Sequence, residues 1–193
     1  MTKVCNRDKI LSEGLQVVHQ HGFANASVRD IVQAAGVPQG SFSNNFASKE
    51  AFGLEILDIH FETARQTMRE TLRNEELPPL QRLRAYIDVT RARLAKDGMR
   101  RGCLFGNFTA EASEHSEPIR ERLVEIFAEV QDAIAGCLKA AVKAGELPAG
   151  FKCTEVAGFI VSSLQGAHLL AKAQRSPAPI DRLKQVLFSS ILR

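Results

Sequence analysis

The sequence predicts an all-α protein, with an N-terminal three-helix domain that contains a helix-turn-helix and a larger C-terminal helical domain. Three observations predict this fold. Apolar residues recur at helical spacing along most of the 193 residues, glycine and proline interrupt that pattern at intervals, and a short helical corner lies near the N-terminus. We place the two domains at residues 1–48 and 49–193. A chain of this length can bury a substantial core.

Composition excludes several classes of protein. No stretch approaches the roughly 20 apolar residues that span a bilayer. The polar segment 1–9 is not a secretory signal, so we expect a cytoplasmic location and no membrane partner. We also expect no cofactor and no metal, because the cysteines lack the spacing of a zinc site or a disulfide framework and should be free thiols: Cys5, Cys103, Cys137 and Cys153. The net charge of +3 does not by itself indicate a nucleic-acid partner.

The first helix is predicted from Arg7 to Gln20. Its apolar residues form one stripe at helical spacing: Ile10, Leu11, Gly14, Leu15 and Val18. The tripeptide His21-Gly22-Phe23 ends the helix and anchors the corner that follows. We expect this helix to support the next two.

A helix-turn-helix is predicted over residues 28–52. Its first helix opens after Ser27, whose hydroxyl can accept a backbone N–H, and it ends at Gly36, which allows a left-handed turn. Pro38 suits the first position of the second helix, which is short, buries Phe42 and is polar on its outer face. Amide and hydroxyl side chains on such a face can bond base edges in a major groove. Similar corners also occur in all-α proteins that never bind DNA.

Four motifs in this region are specific: Ser27-Val28-Arg29-Asp30-Ile31, Ala34-Ala35-Gly36-Val37, Gly40-Ser41-Phe42 and Phe46-x-Ser48-Lys49-Glu50. Over residues 7–53 the chain resembles the DNA-binding domain of the TetR family of bacterial transcriptional regulators. The helix-turn-helix and this resemblance together predict contacts with double-stranded operator DNA from the following residues: Ser27, Arg29, Pro38, Gln39, Ser41, Ser43, Asn44, Asn45 and Lys49. The family usually has aromatic residues at the places of Ser43 and Asn45, so the affinity and the geometry on the operator stay open.

A long helix should link the DNA-binding domain, residues 1–48, to the rest of the protein. We call this domain the reading head. Ser48 is predicted to cap it, and the helix runs toward Leu72. Lys49, at its start, is the predicted cationic phosphate contact. The prolines within 74–79 break the pattern, and the next helix is predicted over residues 80–96.

A second informative stretch begins at Arg100. Cys103 is predicted in the first turn of a helix and close to Arg100 and Arg101. The helix dipole and the two cations favour the thiolate form, which is the chemistry of a reactive cysteine. A lone intracellular cysteine is more often a small buried hydrophobe, so both interpretations stay open.

Three further helices complete the predicted fold. Ser116 caps a long helix that ends at Gly145, and Cys137 lies in its apolar core stripe. Thr154 caps a helix that is apolar around most of its circumference, and the last segment follows Pro177. We predict that the last two helices pair with the same two helices of a second subunit in an isologous four-helix bundle, so that the protein is a homodimer. The alternative is that this surface is the interior of a monomer.

The C-terminal half carries further motifs: Gly102-Cys103-Leu104, Ala110-Glu111, the heptapeptide 166–172 and Arg175-Ser176. They resemble the electrophile- and thiol-responsive branch of the TetR family. The resemblance implies that quinones, reactive aldehydes or hypochlorite modify Cys103, with Lys172 stabilising the thiolate or trapping the oxidised sulfur. The tripeptide Phe105-Gly106-Asn107 departs from that branch, and relatives with a similar start bind ligands without covalent chemistry.

A ligand pocket is predicted from polar residues that interrupt apolar stripes, namely His60, Tyr86, Asn107 and His168.

The predicted function is a DNA-binding repressor, released from its operator when the C-terminal domain is modified at Cys103 or binds a small molecule. The alternatives are a regulator with a purely noncovalent inducer and a helical interaction module with weak DNA affinity. A cysteine-dependent enzyme is not expected, since the chain has no Gly-x-Ser-x-Gly, phosphate-cradling glycine loop or local Cys-His pair.

Overall fold

The computed structural model describes residues 5–193 and confirms the all-α class for that range. The helices follow one another as α1 (Asn6–His21), α2 (Val28–Ala34), α3 (Gly40–Asn45), α4 (Lys49–Glu70), α5 (Pro79–Ala95), α6 (Leu104–Ala112), α7 (Glu117–Lys143), α8 (Cys153–Gln174) and α9 (Ala178–Val186). The chain continues from α9 as a π-helical stretch, Leu187–Ile191. The first four residues of the segment interpreted as non-secretory lie outside the described residues. Within residues 5–193, no helix combines the length and the apolar character that a bilayer span needs.

The chain forms two compact units. The first unit comprises Met1–Phe61 and Leu104–Leu123, and the second comprises Glu62–Cys103 and Val124–Arg193. The helix-turn-helix therefore lies in the first unit, and α4 and α7 each have residues in both. The domain boundary predicted between residues 48 and 49 stays a prediction.

Aromatic packing holds the first unit around the helix-turn-helix. The rings of Phe42, Phe46 and Phe52 form a cluster with centroid separations of 5.2, 5.5 and 5.3 Å. All three side chains are buried, together with Ile31 of α2. Helix α1 approaches the cluster through Gly14, whose backbone lies directly against Phe52. Bulk at that position would push the helices apart, because protein interiors are close-packed.

Side-chain caps set the helix starts that the sequence predicts. Ser27 Oγ accepts the N–H of Asp30 at 3.1 Å while Asp30 Oδ2 accepts the N–H of Ser27 at 3.0 Å, which is a reciprocal capping box. The Ser27 hydroxyl also donates to Asp30 Oδ2 at 2.6 Å, and this bond and the one from the Ser27 N–H lower the pKa of Asp30. Ser48 Oγ caps α4 through the N–H of Ala51 at 3.0 Å. Gly36 takes the predicted left-handed conformation, with φ at +62°.

Helices α1 and α5 each begin one residue before the predicted start, at Asn6 and Pro79, and three other predicted starts are wrong by one or two residues. Helix α3 begins at Gly40, because the carbonyl of Pro38 accepts from Ser41 N in a tighter turn ahead of the helix. Helix α6 begins at Leu104, so Cys103 precedes the helix and is not in its first turn. The left-handed backbone of Gly102, with φ at +69°, redirects the chain just before it. Helix α8 begins at Cys153, which places Thr154 inside the helix.

Apolar side chains and a few ion pairs hold the second unit. Its buried residues come from α5, α7, α8 and α9 and include Leu83, Ile87, Ile126, Ile134, Leu138, Ile160, Leu164 and Ile180. Arg65 binds Glu129 through two hydrogen bonds of 2.9 and 2.7 Å. Cys137 is a core residue, as predicted. Its Sγ donates to the carbonyl of Pro79 at 3.1 Å, and burial raises its pKa to about 11.

Replacing Gly14 should destabilise the first unit. A Cβ at this position would lie 2.5 Å from Phe52 Cζ and 2.9 Å from Ile31 Cγ2, and both side chains are fully buried. We expect Gly14→Ala to lower the free energy of unfolding by about 1 to 2 kcal/mol, after allowing for the better helix propensity of alanine. Urea unfolding measures the change.

The matched control is Gly136→Ala on α7, where a Cβ would meet no atom within 4 Å. That variant should be as stable as the wild type or gain up to about 1 kcal/mol from helix propensity. Equal stability of the two variants would contradict the packing argument.

Candidate functional site

The surface around α3 is polar and exposed. All nine residues predicted to contact DNA lie here. Five of them are exposed at the start of α2, just before α3 or on α3: Arg29, Pro38, Gln39, Ser43 and Asn44. Ser27 is also exposed, although its hydroxyl caps α2. The hydroxyl of Ser43 donates to the carbonyl of Gly40 at 3.2 Å, which leaves its lone pairs available. Such a face offers donors and acceptors to a groove edge.

A shallow groove runs along this face. It has a volume of about 420 Å³ and is lined by Val28, Gln39, Ser43, Ser48 and Lys49, among others. Its lining comes from the starts of α2 and α4 as well as from α3. Gln39, Ser43 and Lys49, three of the predicted DNA contacts, therefore share one concave surface.

Two of the predicted contacts face the protein interior. Ser41 is only 8% exposed, and its Oγ accepts from Asn6 Nδ2 at 3.4 Å. Asn45 is half-buried and donates from Nδ2 to the carbonyl of Ser41 at 2.6 Å. Both side chains thus stabilise the short helix α3 and its contact with α1. Their contacts with DNA stay predictions.

Lys49 is held by the loop between α1 and α2. Its Nζ donates to the carbonyl of Ala24 at 3.2 Å and lies 4.8 Å from the ring centroid of Phe23. Burial lowers the pKa of Lys49, and the nearby carboxylate of Glu111 opposes that shift. An ammonium group has three donors, so the bond to Ala24 leaves others for a phosphate oxygen.

In the second unit, Cys103 lies close to Tyr86. It follows Gly102, whose backbone packs against Lys172. Cys103 is partly exposed, whereas Tyr86 is 8% exposed. Burial raises the pKa of Tyr86 to about 12, a negative charge on Cys103 acts in the same direction, and Arg93 opposes them. A Cβ on Gly102 would come within 2.9 Å of Lys172 Cδ, so the lysine stem packs against the residue before the cysteine.

His168 is the most unusual polar residue of this unit. It is buried on α8, and neither Nδ1 nor Nε2 has a hydrogen-bond partner in the structure. Burial lowers its pKa to about 4, so the ring is neutral at physiological pH. A neutral imidazole carries one donor and one acceptor, and leaving both unsatisfied costs free energy. His168 lies one helical turn before Lys172, on the same face of α8.

The other two predicted pocket residues belong to the first unit. The His60 ring packs against the rings of His19 and Phe105, with centroids 5.9 and 5.0 Å away. Asn107 is partly buried on α6. Because His60 and Asn107 lie in a different unit from Cys103, the pocket that would join all of them stays a prediction.

Several contacts around the candidate sites could not be predicted from the local sequence. Glu111 accepts the backbone N–H of Ala24 at 3.1 Å across 87 residues of chain. The Phe23 ring stacks on Phe108 with centroids 4.7 Å apart. Arg93 donates to Thr67 Oγ1 at 2.6 Å and lies near Tyr86. Such contacts join distant segments, and only the folded chain reveals them. Across residues 5–193 no group of His, Cys, Asp and Glu side chains is arranged to hold a metal ion.

Two family models match the chain. Residues 10–56 match the family of bacterial regulatory proteins named tetR, and residues 79–187 match the tetracyclin repressor-like C-terminal domain. The chain is 34% identical over 192 residues to the HTH-type transcriptional repressor DhaR of Mycobacterium sp. strain GP1, covering 100% of this chain and 95% of DhaR. It is 29% identical to the repressor NemR of Escherichia coli K12, over 91% of this chain and 88% of NemR.

Solved structures are similar over nearly the whole chain. The regulatory protein TetR from Rhodobacter sphaeroides superposes with a TM-score of 0.89 at 28% identity, over 94% of this chain and 96% of that one. The reduced form of E. coli NemR superposes with a TM-score of 0.85 at 29% identity, over 93% of both chains.

Protonation of His168 should destabilise the protein in acid. Its pKa is about 4 in the folded protein against an ordinary value of 6.5, so the unfolded chain takes up a proton first as the pH falls. Stability that is present above pH 6.5 is therefore lost progressively toward pH 4. Between pH 8 and pH 5 the loss due to this residue should be about 2 kcal/mol.

Urea unfolding of the wild type and His168→Leu at both pH values isolates this contribution. The variant should lose less stability on acidification than the wild type. The exposed His115 provides the control, since His115→Leu should keep the wild-type pH dependence. Identical acid sensitivity of the wild type and His168→Leu would show that the buried ring is not the cause.

Proposed function

Because the chain belongs to the TetR family of bacterial regulatory proteins, and is therefore a DNA-binding transcriptional regulator, we propose that it represses transcription until an electrophile modifies Cys103. The observation that carries this proposal is the position of the thiol. Cys103 is partly exposed, its charge acts to raise the pKa of Tyr86, and it immediately precedes α6. The relatives DhaR and NemR are both named as repressors, and NemR has been solved in a reduced form.

The DNA-binding role rests on the exposed face of α3 and the groove beside it. Gln39, Ser43 and Asn44 are the proposed base-edge contacts, and Arg29 and Lys49 are the proposed phosphate contacts. TetR-family regulators act as dimers on operator DNA. Two copies of α3 must then lie about 34 Å apart, or a multiple of that distance, to enter successive major grooves. A small change in that spacing is enough for release.

The proposed sensing step is addition of the Cys103 thiolate to an electron-poor double bond. A C–S bond forms, the carbon–carbon π bond breaks, and the proton lost by the thiol is restored to the neighbouring carbon. Lys172 is the proposed stabiliser of the thiolate, because its stem packs on the adjacent Gly102. Its positive charge would favour the ionised form, which is the nucleophile. A cytoplasmic location follows from the proposed DNA target.

A noncovalent inducer is the second candidate, and His168 favours it. The two unbonded ring nitrogens of this buried residue could donate to and accept from a hydroxyl or carbonyl group of a ligand. Tyr86, in the same unit, is a further candidate for the lining of such a site. In this case Cys103 would contact the ligand without reacting.

The proposed dimer uses the outer faces of α8 and α9. Exposed apolar side chains on these helices include Phe159, Leu169, Leu170 and Val186, with exposed fractions of 50, 69, 51 and 47%. Gly166 lies among the α8 residues, and a Cβ there would meet no atom within 4 Å. An apolar helix face with a small residue at its centre suits close approach of a partner helix.

The repressor proposal predicts loss of DNA binding on thiol modification. Purified protein is titrated onto DNA from upstream of its own gene and onto a scrambled fragment, with and without N-ethylmaleimide. Wild type should bind the upstream DNA specifically and lose at least tenfold in affinity after treatment, while Cys103→Ser should bind equally well before and after. Cys153→Ser is the matched control, since Cys153 is also partly exposed, and it should respond like the wild type.

The other outcomes separate the alternatives. Specific binding that ignores the electrophile would support a noncovalent inducer. Absence of specific binding would support an interaction module, and catalytic turnover of a thiol-reactive substrate would support an enzyme.

The dimer should depend on the exposed face of α8. Leu169→Glu places a charge on the most exposed apolar residue of that helix, and we expect the dimer to weaken by at least about 30-fold because buried charges at interface centres are costly. Sedimentation equilibrium at micromolar concentration measures the change. Val124→Glu on α7, where the valine is 57% exposed, should leave the dimer intact. A monomeric wild type would contradict the proposed interface.

A further inference from the structure

Residues of α6 hold the loop that joins the first two helices of the reading head. The carboxylate of Glu111 accepts the backbone N–H of Ala24 at 3.1 Å. The same carboxylate lies against Gly22, where a Cβ would come within 2.7 Å of both of its oxygens. Gly22 has φ at +88°, a conformation that favours glycine, so both the space and the backbone require the small residue. The loop is therefore shaped to receive this carboxylate.

An aromatic contact strengthens the attachment. Phe23 of the loop stacks on Phe108 of α6, one turn before Glu111, with centroids 4.7 Å apart and planes inclined by 30°. The Phe23 ring also packs against Gly53 of α4, where a Cβ would lie 2.7 Å from Phe23 Cε2. Phe23 thus lies between α6 and α4 and fixes the loop to both.

Lys49 is attached to the same loop. Its ammonium donates to the carbonyl of Ala24 and lies over the Phe23 ring. The backbone of Ala24 therefore bonds an acidic side chain through its N–H and a basic side chain through its carbonyl. Bonds in which one partner is charged are about twice as strong as neutral ones. The Glu111 charge also acts directly on Lys49 and favours its ammonium form.

A second hydrogen bond, from a residue that follows α6 in the chain, also holds the start of α4. Ser116, at the start of α7, donates to Glu50 Oε2 at 2.6 Å and caps α7 through the N–H of Ile119. Lys49 and Glu50 are consecutive, so the segment that follows Cys103 in the chain fixes both residues. All of these residues belong to the first unit.

We propose that Glu111 is a positioning residue for operator binding: through Ala24 it fixes the place at which Lys49 meets a DNA phosphate. Phe108 assists by holding Phe23 in the stack. The inference rests on the proposed function, because it concerns binding to the operator.

The test compares Glu111→Gln with Glu114→Gln, an exposed glutamate three residues further on. Each is titrated at low salt onto DNA from upstream of the protein's own gene. Glu111→Gln should bind about tenfold more weakly than the wild type while its melting temperature stays within a few degrees, and Glu114→Gln should bind as the wild type does. Backbone amide exchange measured by NMR should be faster at Ala24 in Glu111→Gln only.

A double-mutant cycle with Lys49→Met distinguishes positioning from general damage. If Glu111 acts through Lys49, then Glu111→Gln should weaken binding by no more than about twofold in the Lys49→Met background. Additive losses, or wild-type affinity of Glu111→Gln, would overturn the inference. Failure of the wild type to bind would instead overturn the proposed function, and the amide exchange at Ala24 would still report whether Glu111 holds the loop.

Discussion

The burial of Phe42 is the constraint on which the reading head depends. Helix α3 has six residues and no side-chain cap, and isolated helices this short are unstable in water. It exists because Phe42 enters a cluster with Phe46 and Phe52, which ties α3 to the start of α4. The residues on the polar outer face of α3 are then not constrained by folding, because that face contributes little to the stability of the helix.

The same residue type has different chemistry at two places in this chain. Cys137 is enclosed by the core, its thiol donates to a carbonyl, and its pKa is high, so it behaves as a small hydrophobe. Cys103 is partly exposed, its charge acts on Tyr86, and it follows Gly102, against which the stem of Lys172 packs. Burial and neighbouring groups, which the fold supplies, therefore give the two thiols different chemical surroundings.

Local signals predicted most of the fold. Ser27, Ser48 and Ser116 cap helices as their positions indicated, and the left-handed turn at Gly36 is present. The errors arose where backbone geometry competes with such signals, as at Thr154, which looks like a cap and lies within α8. The inward orientation of Ser41 and the bond from Glu111 to Ala24 could not be predicted, because both depend on contacts between segments far apart in sequence.

The sequence of helix α3, which lacks lysine and arginine, has a thermodynamic consequence. Helix α3 carries no lysine or arginine, and Arg7 on α1 is already paired with Glu55. Each phosphate that a cation neutralises releases condensed counterions, and affinity falls with salt in proportion to their number. Few such contacts mean a shallow salt dependence. Operator occupancy should then change little when osmotic stress alters the ionic strength of the cell.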